Sequence, residues 1–147
     1  MKIKIVKEPI KKSELLKIAG EEFDDLLKAV VDVEKEIMAV GGELHSDEEI
    51  LLMEQEGSKR EHTWGINIYP KKSGDEMFEF DSMINLKPAF GNRSRDIDDP
   101  KIKEKIRESF SDEVEVELKD ADSGVITPVF REKKGDAYMY LMVPIKN

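Results

Sequence analysis

The sequence predicts an α+β domain with a mainly antiparallel sheet and about three helices, followed by a C-terminal three-stranded extension. Several short segments have apolar residues at every second position and are separated by turn-forming residues, which is typical of antiparallel strands. Three other segments have helical spacing and recognisable helix caps. The 147 residues suffice for one domain with a core and a short appendage. We place the α+β domain at residues 1–111 and the extension at 112–147.

The first two elements are a strand and a helix. Ile3 and Ile5 alternate with lysines, and Pro9 ends this strand because proline cannot donate a hydrogen bond to a neighbouring strand. Ser13 offers a hydroxyl that can cap a helix, and apolar residues follow it at helical spacing. This pattern predicts the first helix at about 13–25.

A hairpin and a second helix come next. Apolar residues alternate over 27–33 and resume over 37–41 after a short polar link, which predicts a β-hairpin. Ser46 and Glu49 have the spacing of a capping box, in which each side chain bonds to the backbone N–H of the other residue. This helix is expected to end at Gly57, because glycine readily adopts the left-handed conformation.

A second hairpin is predicted from residues 64–69 and 78–86, which alternate and are joined by a turn-rich link. Pairing their apolar faces requires a register in which Asn67 lies opposite Glu79 or Asp81, since a slip of one residue turns every side chain to the wrong face. The face away from the core then holds five polar residues: Asn67, Tyr69, Glu79, Asp81 and Asn85.

The last predicted elements are a third helix and the extension. Asp99 can cap this helix and Pro100 can open it, because proline at the first helical position loses no hydrogen bond. Its expected buried stripe is Ile102, Ile106 and Phe110. The extension is expected to form three short strands, at 114–118, 125–130 and 138–143.

Charge and composition argue against several classes of protein. With 33 acidic and 24 basic residues the net charge is −9, which repels nucleic acid and anionic lipid. The absence of cysteine excludes disulfides and thiolate metal sites. The N-terminus lacks the apolar stretch of a signal peptide, and no run of about 18 apolar residues occurs, so we expect a cytoplasmic protein without a membrane partner. The Lys- and Glu-rich composition is also typical of thermophilic proteins.

The first candidate for chemistry is the segment 41–45, with the sequence Gly-Gly-Glu-Leu-His. Glu43 and His45 project on the same side of an extended segment, and a carboxylate beside an imidazole raises its basicity, as a general base requires. The glycine pair marks a bulge or turns backbone amides toward a ligand. One histidine with carboxylates falls short of a metal-binding motif, so we predict no metal site. The alternative is a hydrogen-bonded histidine at a strand end.

The second candidate is the loop 91–95, with the sequence Gly-Asn-Arg-Ser-Arg. Arg93 can form two hydrogen bonds with a carboxylate or phosphate, and Asn92 and Ser94 add donors. The alternative is an internal salt-bridge loop, because three acidic residues follow it: Asp96, Asp98 and Asp99.

The third candidate is a pair of asparagines in the predicted second hairpin. Asn67 and Asn85 are unusual there, because asparagine is depleted in strands. They either fix the orientation of a ligand or hold loop backbone to the sheet.

The candidate segments resemble a family of small prokaryotic proteins classed only as a domain of unknown function. The shared segments are Met38-Ala39-Val40-Gly41-Gly42-Glu43-Leu44-His45, Trp64-Gly65-Ile66-Asn67, Ser82-Met83-Ile84-Asn85 and Gly91-Asn92-Arg93-Ser94. The resemblance covers about residues 1–111, and the stretch after Ser111 departs from the family pattern. It implies no known activity but a recurring polar set: Glu43, His45, Asn67, Ser82, Asn85, Asn92, Arg93 and Ser94.

Three hypotheses of function follow. The first is a binding module for a small anionic or polar ligand, held by Asn67, Ser82, Asn85, Asn92, Arg93 and Ser94. The second is an enzyme in which His45, tuned by Glu43, is the general base and Arg93 stabilises negative charge. The third is a structural or partner-binding protein with an internal polar network. The sequence identifies no cofactor. A homodimer would cover apolar side chains of the extension: Tyr138, Tyr140, Leu141 and Val143.

Overall fold

The computed structural model describes residues 3–22, 25–111, 113–134 and 137–142. Its helices and antiparallel sheets confirm the α+β class. The helices are α1 (Lys12–Glu22), α2 (His45–Glu56) and α3 (Pro100–Arg107). The strands are β1 (Lys4–Val6), β2 (Leu27–Asp32), β3 (Ile37–Gly42), β4 (Thr63–Ile68), β5 (Phe78–Glu79), β6 (Val114–Lys119), β7 (Ile126–Lys134) and β8 (Ala137–Met142).

Five strands form one antiparallel sheet in the order β1-β3-β2-β4-β5. β2 and β3 make the predicted first hairpin. β3 and β4 are both antiparallel to β2, so they run parallel to each other on either side of it. α2 connects β3 to β4 and therefore crosses over β2. The carboxyl ends of β3 and β4 consequently lie at the same edge of the sheet, which is the edge where α2 begins.

Both faces of this sheet are buried. On one face, Leu15 of α1 and Ile106 of α3 belong to the same apolar cluster as Ile66 of β4. On the other face, which we call the α2 face, Leu52 of α2 clusters with Val30 of β2. Because β2 has helices on both sides, it is apolar at almost every position and does not alternate strictly.

The second hairpin is shorter than predicted. Its register is confirmed at Asn67, which pairs with Glu79. The prediction of one strand over 78–86 is wrong beyond Glu79, because the chain leaves the sheet and forms a 3₁₀ turn at Met83–Asn85. The side chain of Ser82 caps this turn, which offers the backbone an alternative to strand pairing.

α2 begins without the capping box predicted for Ser46 and Glu49, so that prediction is wrong. The N-cap residue is Leu44, which has no side-chain cap. Glu49 instead accepts a hydrogen bond of 2.6 Å from the hydroxyl of Thr63 on β4. The predicted end of the helix is confirmed, since Gly57 follows it in the left-handed conformation with φ of 71°.

The first and third helices lie close to their predicted positions, but the prediction that Ser13 caps α1 is wrong. The helix begins at Lys12, and the Ser13 hydroxyl donates to Glu113 Oε2 at 3.3 Å. At α3, Asp99 accepts a hydrogen bond of 2.9 Å from Lys101 N, and Pro100 is the first helical residue, as predicted. α1 covers most of the predicted range 13–25, of which residues 23–24 lie outside the described part of the chain.

The C-terminal strands form a second sheet in the order β6-β7-β8, which confirms the three predicted strands. The predicted end of the last strand, at Val143, lies outside the described residues. Side-chain contacts join β7 and the residue before β6 to the start of α1. Lys11 Nζ lies 3.2 Å from Glu132 Oε2, and Ser13 N donates to Glu113 Oε1 at 2.7 Å. The second sheet therefore meets the first beside α1, which is not on the α2 face.

Candidate functional site

A row of residues crosses four strands next to the start of α2. Gly42 on β3 pairs with Lys28 on β2, Lys28 pairs with Asn67 on β4, and Asn67 pairs with Glu79 on β5. Cross-strand partners share a face of the sheet. This row lies on the α2 face at the edge where α2 begins, so the first turn of the helix stands over it.

His45, the first residue of α2, packs its imidazole onto this row. Its Nε2 lies 2.8 Å from the carbonyl oxygen of Ile66. A carbonyl only accepts, so the neutral ring carries its proton on Nε2 and leaves Nδ1 as an acceptor. Burial lowers the pKa of His45, while the Ile66 carbonyl, the Asp81 carboxylate and the Asn67 side chain oppose that shift. His45 is therefore neutral at pH 7.

Glu48 lies one helical turn after His45 and is 0% exposed. Its Oε2 accepts a hydrogen bond of 3.0 Å from Gly42 N, while Oε1 has no hydrogen-bond partner among the described residues. Burial raises the pKa of this carboxyl to about 9, although the Gly42 bond and the Lys28 ammonium lower it. Glu48 is thus a neutral acid at pH 7.

Position 42 must be glycine because the Glu48 side chain packs closely against its backbone. A Cβ atom on Gly42 would lie 2.9 Å from Glu48 Cγ and 3.1 Å from a side-chain carbon of Ile3. The bulge predicted for the glycine pair is confirmed, because the register of β2 and β3 shifts at Gly41, which has φ of 97°. Gly42 gives its amide to a buried carboxyl and leaves space for it.

Asn67 is 6% exposed, and among the described residues only the NH₂ group of its side-chain amide forms hydrogen bonds. Its Nδ2 donates to Glu79 Oε1 at 2.8 Å and to the carbonyl oxygen of Asp81 at 3.3 Å. Its side chain lies near enough to His45 to favour the protonated ring, yet Oδ1 completes no hydrogen bond among the described residues. The predicted grouping of Asn67 with Glu79 and Asp81 is therefore confirmed, and one buried acceptor stays open.

Lys28 supplies the positive charge at this place. Its ammonium acts electrostatically on both His45 and Glu48, and it forms no hydrogen bond or salt bridge within the part of the chain that the structure describes. We call Lys28, His45, Glu48 and Asn67 the α2 cluster. It combines one cation, two neutral titratable groups and an amide at the N-terminus of a 12-residue helix.

Asn85 and Ser82 attach the 3₁₀ turn to the free side of β4. Asn85 is fully buried, accepts from Gly65 N at 2.8 Å, and donates to Gly65 O at 2.9 Å and to Arg95 O at 3.0 Å. Its amide thereby replaces a neighbouring strand. A Cβ atom on Gly65 would lie 2.6 Å from Ser82 Oγ, so the turn packs closely only over glycine.

Asn92 and Ser94 are used within their own loop. The Asn92 Nδ2 donates to the carbonyl oxygens of Asn85 and Asp96, at 2.8 and 2.7 Å, and its Oδ1 accepts from Asp98 N at 2.9 Å. Ser94 Oγ lies 2.9 Å from Asp98 Oδ1. These contacts resemble the alternative prediction of an internal loop, although backbone carbonyls accept most of the bonds.

Arg93 and Glu43 are both exposed. The Arg93 backbone bonds to Asp98, and Glu43 is not among the groups that shift the pKa of His45. The loop cation linked to the cluster is Arg95, whose Nε lies 2.7 Å from Asp81 Oδ1. Asp81, in turn, supplies the carboxylate effect on His45 that we predicted for Glu43.

Sequence reasoning missed Lys28 and Glu48 as parts of the site. Glu48 is three residues after His45 on one helix, so helical spacing could have grouped them. Lys28 becomes visible only when β2 is paired with β4, a pairing between strands that are not adjacent in the sequence.

A second buried lysine, Lys87, also escaped notice. Its Nζ donates to the carbonyl oxygens of Arg60, at 2.6 Å, and of Thr63, and lies 4.0 Å from the centre of the Trp64 ring. Burial lowers its pKa to about 8, while Glu49 opposes the shift. With its three donors engaged by carbonyls and a ring, Lys87 fastens the loop to the start of β4.

Two features are absent from the described residues. No group of three or more His, Asp or Glu residues there is arranged to hold a metal ion. No helix in that part of the chain is long and apolar enough to cross a membrane.

Comparison with known proteins identifies a family but no activity. The family described as "Protein of unknown function (DUF5674)" matches residues 4–112. No curated protein and no solved structure matches the chain. The matched region runs from β1 through α3, contains the whole α2 cluster and ends before β6. The resemblance to an uncharacterised family is confirmed, and the chain belongs to DUF5674, a family of proteins of unknown function.

Proposed function

We propose that this protein is a binding module for a small anionic or polar ligand that occupies the α2 cluster. The observation that carries the proposal is the meeting of three polar groups without a hydrogen-bond partner among the described residues. They are the Lys28 ammonium, Glu48 Oε1 and Asn67 Oδ1. The two oxygens are buried, and buried polar groups in proteins are nearly always paired, so a ligand would pair them. The half-buried Lys28 ammonium would add a positive charge to the site.

The start of α2 supports an anionic end on this ligand. The first backbone N–H groups of a helix have no partner within the helix, and the helix dipole makes this end positive. Lys28 adds a full charge beside it. Together they favour an anion, even though the protein as a whole carries −9.

The loop residues complete the proposed site in two roles. Asn85, Ser82, Asn92 and Ser94 hold the loop in position through the hydrogen bonds described above. Arg93, with its exposed side chain, is proposed as an outer contact for the anion.

A thermal-shift screen of metabolites, nucleotides and small acids on the full chain tests the proposal. A ligand that binds only the folded state raises Tm, because at free concentration c it adds RT ln(1 + c/Kd) to the free energy of unfolding. We expect a hit to stabilise the wild type but not Lys28→Met, and to stabilise Arg93→Ala less than the wild type. Equal stabilisation of wild type and Lys28→Met would contradict binding at the α2 cluster.

General-base catalysis by His45 is a second candidate function. The observation that favours it is a buried imidazole, neutral at pH 7, whose Nδ1 can accept a proton. Incubating a screening hit with the wild type and with His45→Gln, and following the ligand by NMR, tests this role. Conversion by the wild type alone supports catalysis, whereas an unchanged ligand in both samples leaves binding as the function.

The proposed setting is the cytoplasm, with no nucleic-acid partner. The net charge of −9 supports this setting because it opposes long-range attraction to polyanions.

A further inference from the structure

We infer that the ligand of the α2 cluster is a small oxyanion with a hydrogen-bond donor beside its charged group, as in an α-hydroxy or α-amino carboxylate. The inference rests on the proposed function and narrows it to one ligand chemistry. The unpaired atoms of Asn67, His45 and Glu48 are each fixed as donor or acceptor by the bond that the other polar atom of the same side chain makes.

Asn67 can present only an acceptor to the ligand. Its Nδ2 is held by Glu79 Oε1 at 2.8 Å and by the carbonyl oxygen of Asp81 at 3.3 Å. Rotating the amide by half a turn would place Oδ1 against this carboxylate and carbonyl, which also only accept. Oδ1 therefore stays open toward the cluster and needs an N–H or O–H group.

His45 adds a second acceptor for the same reason. Its Nε2 proton is held by the Ile66 carbonyl at 2.8 Å, so the neutral ring leaves the lone pair of Nδ1 open. Two acceptors at one place require at least one donor on the ligand.

Glu48 and Lys28 present donors. Glu48 is 0% exposed, its only hydrogen bond among the described residues comes from Gly42 N, and it forms no salt bridge there, so a charged carboxylate is unfavourable at this position. The proton lies on Oε1, because Oε2 accepts from Gly42. This buried O–H and the first N–H groups of α2 need an acceptor, which an oxyanion supplies, and the half-buried Lys28 ammonium adds a positive charge beside them.

The groups that need a donor and the groups that need an acceptor lie close together. Lys28 and Asn67 are directly paired across β2 and β4, so their Cα atoms lie about 5 Å apart. A small ligand that reaches both carries its oxyanion and its donor on the same or neighbouring atoms. Glycolate, glycine and hydrogen phosphate meet this condition, whereas acetate lacks the donor and glycolamide lacks the charge.

Titration of the ¹⁵N-labelled full chain with these five compounds tests the inference. The signals to follow are the Gly42 backbone amide and the Asn67 side-chain amide, because both belong to the row beneath α2. We expect glycolate, glycine or hydrogen phosphate to shift both signals with a Kd at least tenfold lower than that of acetate or glycolamide. Comparing the Kd values of the two carboxylates with that of hydrogen phosphate shows which oxyanion is preferred.

Charge variants supply the matched control. Lys28→Met should weaken the preferred oxyanion at least tenfold, while Lys35→Met should not, because Lys35 lies in the exposed turn at the far end of the same hairpin. The spectrum of each variant without ligand reports whether it is folded. If Lys28→Met fails to fold, Lys28→Gln measured against Lys35→Gln gives the same comparison.

Three results would overturn the inference. These are acetate binding as tightly as glycolate, glycolamide binding as tightly as glycolate, or no response to any of the five compounds. In each case the proposed function is judged separately, since it fails only if the wider screen finds no ligand whose stabilisation depends on Lys28.

Discussion

At the scale of single residues, Glu48 couples stability to pH. Its pKa is about 9 in the folded protein against an ordinary value of 4.5, so above pH 4.5 folded Glu48 holds a proton that the unfolded chain releases. The folded state then binds more protons than the unfolded state. The contribution of Glu48 to the free energy of unfolding therefore falls as the pH rises from 4.5 to about 9, by up to about 1.4 kcal/mol per pH unit.

Glu48→Gln should remove this pH dependence. The amide oxygen still accepts from Gly42 N, and nothing titrates at this position. We expect the variant to be more stable than the wild type at pH 8, with the difference shrinking toward pH 4.5. Urea unfolding at several pH values measures this, with Glu54→Gln as the control because Glu54 is exposed on the same helix. Parallel pH profiles for wild type and Glu48→Gln would contradict the assignment.

The contacts and burial of some residues could be predicted from the sequence, and those of others could not. The pairing of Asn67 with Glu79 was predictable, because the period of two and the matching of apolar faces leave few registers. The burial of Glu48 beside the half-buried Lys28 was not. Charged side chains are normally exposed, and only the crossing of α2 over β2 brings these two together. Asn85 was recognised as unusual, but its bonds to Gly65 depend on a turn that the alternating pattern concealed.

At the scale of elements, α2 is fixed to the sheet by two adjacent glutamates. Glu48 bonds to the end of β3, and Glu49 bonds to Thr63 at the start of β4 and to Arg60. These tertiary bonds explain why the spacing of Ser46 and Glu49 did not produce a capping box. A local motif predicts a helix start only when its side chains have no stronger partner elsewhere.

Thr63→Val should loosen α2 by removing one of these attachments. The substitution preserves the shape of the side chain but deletes the hydroxyl that donates to Glu49 Oε2 at 2.6 Å. We expect a loss of about 1–3 kcal/mol in unfolding free energy, because a buried carboxylate loses a hydrogen bond. A double-mutant cycle with Glu49→Ala, which removes the acceptor, isolates the pairwise energy. Additive effects of the two substitutions would show that the bond does not hold the helix.

At the scale of the whole molecule, the two sheets form separate hydrogen-bonded units. The family match ends at residue 112, close to the boundary we predict at 111–112. The sequence indicated this division because turn-separated alternation begins again after α3. It did not predict the contacts of Glu113 and Glu132 with the start of α1, since these join segments about a hundred residues apart.

A chain of residues 1–112 should therefore fold alone. It keeps the five-stranded sheet and all three helices and loses the contacts of Ser13 and Lys11 with the second sheet. We expect cooperative urea unfolding and an amide spectrum in which signals of β2, β4 and α2 overlay those of the full chain. Non-cooperative unfolding would place the domain boundary elsewhere.

The oligomeric state tests the role predicted for the extension. Leu118, Ile126, Tyr138 and Tyr140 on the second sheet are each at least 44% exposed, and a homodimer through this sheet would cover apolar surface. Light scattering should then give a dimer for the full chain and a monomer for residues 1–112. A monomeric full chain would contradict the prediction.

The attachment of the second sheet beside α1 also determines how this protein can be handled. Since α1 and α2 cover opposite faces of the five-stranded sheet, a linker on the second sheet leaves the first turn of α2 facing the solution. A sensor surface that captures the molecule through its C-terminal strands would therefore leave the α2 side of the first sheet facing the injected compounds. Capture through the exposed lysines near β1 would have no such preferred orientation.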